Sequence, residues 1–231
     1  MTIKRTFALL CFILPCALAR AGNHESVPAP APAVGDSWTY QYTDVWKGAK
    51  GNVNRMEVAS IDEAGVHMAI KRAASGALIS TQLFSPDMNP VERGGMHFSP
   101  SFTRFTFPMA PGSEWSSEVV GDNSKAGKQQ RYAIKGKVLD WEKVRVPAGE
   151  FEALKIVVEA QYADANDATR GGGKLTETVW FVPSLNNYVK LDYQDADAQG
   201  RLYSRDSWEL MSFAHKAATP PLAAVAAPNH R

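Results

Sequence analysis

Residues 141–191 constrain the fold more than any other stretch. They read WEKVRVPAGEFEALKIVVEAQ, a polar and glycine-rich gap, then KLTETVWFVPSLNNYVKL. Side chains of a strand alternate between two faces, so an apolar/polar period of two marks a half-buried strand. Leu154, Ile156 and Val158 alternate with Lys155 and Glu159, and Val189, Leu191 and Tyr193 with Lys190 and Asp192. Between Val146 and Phe151, Pro147-Ala148-Gly149 predicts a three-residue hairpin loop, proline fixing one φ and glycine accepting a positive one. Between Val182 and Tyr188, Asn186-Asn187 supplies a positive φ. Leu175, Val179 and Phe181 take one face of their strand and Thr176, Thr178 and Trp180 the other.

The same period recurs along the chain. Trp38, Tyr40 and Tyr42 share a face near the start, as do Val66, Met68 and Ile70. Tyr132, Ile134 and Val138 form a third series, with Gly136 at its inward position, where a neighbouring side chain can come close. Residues 85–100 break the pattern with Pro86, Pro90, Gly94 and Gly95 and read as a long irregular loop, of the kind that is often functional. The FTRFTFP run at 102–108 reads as a return to strand. The total is about eleven strands and no amphipathic helix. Short connections make consecutive strands neighbours. The expected fold is all-β, an antiparallel meander in a strongly curved sheet, half-barrel or barrel.

The ends differ in character. Lys4 and Arg5, an apolar run over 7–19 and Ala19-Arg20-Ala21 form a secretory signal peptide over 1–21, cleaved after Ala21. Its apolar run is too short to span a bilayer, so no transmembrane anchor is expected after processing. Pro15 before Cys16 argues against lipidation. Residues 22–33 read as a Pro/Ala-rich linker, 34–213 as a single β domain, and 214–231 as a disordered Ala/Pro-rich tail. Both cysteines, Cys11 and Cys16, fall in the signal, so the domain relies on core burial without disulfides. Of 25 basic residues, cleavage removes Lys4, Arg5 and Arg20, leaving 22 against 24 acidic ones, a net charge of about −2. Nucleic acid is not an expected partner of such a surface. The expected location is periplasmic or secreted.

GDSWTY, FPMAPGSEW, VRVPAGEFEALKI, ETVWFVP, YVKLDY and ELMSF, spread over most of 36–213, resemble a group of exported bacterial proteins related to domain-of-unknown-function family 3108. That resemblance implies a fold similar to the open β half-barrels of the lipoprotein carriers LolA and LolB, and no assigned chemistry. The PSLNN turn departs from the glycine-bearing turn typical of the group.

Catalytic signatures are weak. His67 lies on an outward parity. His97, near Glu92 and Arg93, lacks a second histidine or a cysteine with which to hold zinc. The Asp192/Asp195/Asp197 and Asp164/Asn166/Asp167 groups lack calcium-loop spacing and suit turn chemistry. No Gly-x-Ser-x-Gly elbow is present. No cofactor, metal site or catalytic residue is expected. The aromatics either fill a β core or line a concave pocket. On the second reading Trp38, Tyr40, Tyr42, Phe105, Phe107, Trp115 and Trp180 bind an apolar or lipid-like envelope ligand. An envelope protein partner, and an enzyme using His97 and nearby acids, are the alternatives.

Overall fold

The computed structural model describes residues 26–216. The expected signal peptide lies outside them, as do residues 22–25 of the linker and 217–231 of the tail. Twelve strands follow in order: β1 (Ser37–Asp44), β2 (Ala49–Asp62), β3 (Gly65–Arg72), β4 (Leu78–Phe84), β5 (Pro90–Arg93), β6 (Met96–Ser99), β7 (Glu114–Asn123), β8 (Lys128–Val146), β9 (Gly149–Asp164), β10 (Gly173–Val182), β11 (Asn187–Asp197) and β12 (Leu202–Ala214). Each pairs antiparallel with its neighbours in the chain, and β1 pairs with β12, so the sheet closes into a barrel. Closure removes the sheet edges that a meander would otherwise expose.

The period-two faces are those read from the sequence. Met68, Ile134, Val138, Ile156, Val158 and Val179 are buried inside. Lys174–Glu159 and Lys155–Glu142 pairs lie on the opposite faces, where water solvates them. Pairing of Val146 with Gly149 leaves a two-residue loop, Pro147-Ala148, rather than the three expected. Gly149 has φ +140° and opens the return strand. Asn186 takes the left-handed conformation, at φ 52°. At Gly136 a Cβ would lie 2.0 Å from the Trp115 ring, so the indole fills the space that glycine leaves.

Two expectations are exchanged. Residues 85–100 hold the β5–β6 hairpin, in which Glu92 faces His97 and Arg93 faces Met96. FTRFTFP, expected as strand, joins no ladder. Pro100 and Pro108 bracket it and have no N–H to donate. It folds inward instead, burying Phe102, Arg104 and Phe105. The Asn89 side chain serves as its backbone partner: Phe105 N–H donates to Oδ1 at 2.8 Å, and Nδ2 donates to the Phe105 carbonyl at 3.0 Å. Phe102 N–H donates to the Pro90 carbonyl at 2.8 Å. Twelve strands therefore replace about eleven.

The linker is also held where it is described. Val27 is buried and exchanges two backbone hydrogen bonds with Met109, at 2.6 and 2.8 Å. The Asp36 carboxylate accepts from Ala33 N and Lys216 N, both at 2.9 Å, drawing the two ends of the domain together. Burial of one valine and paired backbone groups offset the freedom expected of a Pro/Ala spacer.

Candidate functional site

The barrel interior divides into a filled side and a hollow side. On the filled side, inward residues of β8, β9 and β10 meet the inner loop, residues 101–113. Phe102 lies against Tyr132 at 6.1 Å, and Phe105 and Phe107 lie against Phe181 at 5.4 and 5.8 Å between ring centres. Offset and edge contacts of this kind pack an aromatic core.

A cavity of about 270 Å³ remains on the other side. Its walls come from β1–β4, β11 and β12, with apolar surface from Met56, Ile70, Phe84, Leu191 and Trp208. The 85–100 segment contributes Met88, Arg93 and Gly94, and the inner loop contributes Arg104 and Phe105. Gly94 is exposed and Arg93 is about one third exposed, which places the mouth at the β5–β6 turn.

One side of this cavity is charged. Glu177 on β10 is fully buried, and Arg104 is 3% exposed. Arg104 donates from Nε to Glu177 Oε2 at 2.6 Å and from Nη2 to Oε1 at 2.9 Å. Arg93 Nη2 donates to the same Oε1 at 3.1 Å. Burial alone would push the Glu177 carboxyl up. The charges and hydrogen bonds of Arg104 and Arg93 outweigh it and hold the group at about 2. Tyr40 and Tyr188 stack at 4.8 Å beside this cluster, and Tyr40 OH donates to the Tyr188 carbonyl at 2.7 Å. Burial raises both phenols above their ordinary range, so both stay neutral. Two polar atoms of the lining, Asn54 Oδ1 and Asn187 Nδ2, are buried without a hydrogen-bond partner.

Of the seven aromatic residues expected to line a pocket, the structure brings Tyr40 and Phe105 to this cavity. Trp38 points inward but is fully buried in the core, where its Nε1 donates to the Leu185 carbonyl at 2.9 Å. Tyr42 donates to Asp206 at 2.8 Å and packs on Trp208. Phe107 belongs to the filled side, and Trp115 covers Gly136 and donates to the Thr103 carbonyl at 3.1 Å. Trp180 stands on the opposite face of β10, between the ammonium groups of Lys155 and Lys190 at 5.2 and 5.0 Å, and donates to Glu142. A large side chain on the outward parity is accommodated there by lysines rather than by a pocket.

The charged cluster escapes a reading by residue type, yet one signal for it exists. Glu177 falls on the inward parity between Leu175 and Val179, and a carboxylate there requires a partner. That partner, Arg104, is 73 residues away in an irregular segment. His97 lies 3.4 Å from Glu92 on the exposed β5–β6 hairpin, away from the cavity lining. Among the described residues no group of three or more His, Cys, Asp or Glu is placed to hold a metal ion. Asp164 Oδ1 accepts from Asn166 N and Asp167 N, which is turn chemistry.

No family model matches the chain, and no curated protein matches it. Among solved structures, a Parabacteroides distasonis protein named "putative lipoprotein" superposes with a TM-score of 0.50 at 14% identity, over 83% of this chain and all of that one. A Bacteroides fragilis "putative exported protein with YmcC-like fold" gives 0.47 at 14% identity, over 82% and 99%. The "hypothetical lipoprotein YmcC" of Escherichia coli gives 0.39 at 9% identity, over 77% and 84%. At these identities the first likeness speaks for the fold alone.

Proposed function

We propose that this is an exported, non-enzymatic β-barrel protein of the bacterial envelope, periplasmic or secreted, that holds a small and mostly apolar ligand inside the barrel. The observation that carries the reading is the cavity of about 270 Å³ with an apolar wall and a mouth at the β5–β6 turn. Ligand sites are typically concave and mostly apolar, with a few placed polar groups, and run from roughly 300 to 1,000 Å³. This cavity lies just below that range and suits a ligand, or part of one, of on the order of ten non-hydrogen atoms. The signal-like sequence at 1–21 and the fold shared with a protein named as a lipoprotein favour the location. Kinship with family 3108 and the Lol carriers belongs to the same reading and rests on the turn and core motifs quoted above.

Native mass spectrometry of gently extracted protein tests the proposal. The expected result is a one-to-one adduct of low mass, or uptake of an added medium-chain alcohol. A barrel that purifies empty and takes up no such compound would contradict it, leaving an envelope protein partner as the better reading.

A further inference from the structure

The cavity carries an imbalance of charge that its own walls do not cancel. Arg93 and Arg104 bring two positive charges to one carboxylate, Glu177. A guanidinium stays protonated in a protein, and the neighbouring phenols of Tyr40 and Tyr188 are neutral. The other acids on inward faces nearby, Asp195 and Asp206, accept the hydroxyls of Tyr162 and Tyr42 at 2.7 and 2.8 Å and do not line the cavity. Arg93 and Arg104 are the charged residues of the described lining, so with Glu177 behind them the polar side of the cavity carries one positive charge. Arg104 Nη1 takes no part in the bonds to Glu177, which use Nε and Nη2. Asn187, 4% exposed, adds an amide donor, Nδ2, that is buried without an acceptor. Buried donors left unpaired cost free energy, so a wall that presents them is complete when an acceptor arrives.

Resting on the reading of the cavity as a ligand site, we propose that its ligand is an amphiphile with a single negative charge, a carboxylate head set against Arg104, Arg93 and the Asn187 amide, and a short apolar chain against Ile70, Phe84 and Leu191. One negative charge balances the cluster; a neutral hydroxyl head accepts from the Asn187 amide but leaves that charge unanswered. Arg93, a third exposed at the mouth, is the residue an entering anion meets first. Arg104 holds Glu177 through both carboxylate oxygens, so Arg93 can be changed without stranding that buried carboxylate.

Calorimetric titration of the whole protein with octanoate and with octanol separates the two claims. Octanoate is expected to bind at least about tenfold more tightly, the order of a charge-assisted hydrogen bond. Arg93→Gln should erase that preference, and Arg93→Lys should retain most of it. If octanol binds as tightly as octanoate, or if Arg93→Gln leaves the preference intact, the head-group inference is overturned and the cavity reading stands. If neither compound binds, both fall.

Discussion

The two sides of this barrel are built from the same alternation and end in different states. On the filled side, β8, β9 and β10 are 19, 16 and 10 residues long, and their inward positions interlock with the aromatics of the inner loop. On the other side the wall is β1–β4 with β11 and β12, and it keeps a hollow whose polar edge comes from the β5–β6 hairpin and the unpaired inner loop. A long, regular strand pair specifies its register and fills its own face. A chain that leaves the ladder must satisfy its backbone by other means, here Asn89, and is then free to send a charged side chain inward. The contrast places stability on one side and the candidate chemistry on the other.

The charged junction between the sides offers the largest effect. Arg104→Met strands Glu177 without its main partner, and removing one member of a buried pair costs about 3–5 kcal/mol. Denaturant unfolding should show that loss, and the Arg104→Met/Glu177→Met double variant should recover most of it. An Arg104→Met protein of unchanged stability would mean that the junction is not buried as described.

Acid should act on the same group. The folded carboxyl of Glu177 is held at about 2, against an ordinary 4.5. A depressed pKa contributes stability that is fully present above the ordinary value and is lost as pH falls through the folded one. About 3 kcal/mol should therefore fade between about pH 4.5 and 2. Melts of wild type and Glu177→Gln across that window should converge. Parallel curves would assign the acid sensitivity elsewhere.

On the filled side, Gly136→Val drives a side chain into the Trp115 ring and should cost about 1–3 kcal/mol by overpacking. Octanol binding on the hollow side should be unchanged. A loss of binding there would show that the two sides are not independent.

The smallest effect is expected on the outer wall. Trp180→Leu removes a ring that is 7% exposed and lies between two lysines, which should cost about 1–2 kcal/mol, and should leave ligand binding untouched. A change in affinity would return Trp180 to the list of pocket residues.

The difference between the sides also explains what could be read in advance. Which faces of β3, β8, β9, β10 and β11 turn inward was legible, because a period of two has one solution once a face is buried. The left-handed Asn186 was legible because few residue types accept a positive φ. Residues 85–100 read as an irregular loop of the kind that is often functional, and they supply Arg93 and Gly94 to the cavity, although as a hairpin. The inner loop was misread because FTRFTFP has the composition of a strand; its course depends on Asn89, on Glu177 and on prolines that deny it ladder donors. The aromatic residues were a poor guide to the cavity for a related reason. Size and hydrophobicity place Trp38, Phe107 and Trp115 in a packed interior without distinguishing a filled volume from an empty one.

The central claim is that the hollow side accepts a ligand. Calorimetric titration with octanol of the wild type and of Met56→Trp, which places an indole in the cavity, tests it most directly. The account predicts one-to-one binding to the wild type and none to a folded Met56→Trp protein. Equal binding to both, or none to the wild type, would contradict it.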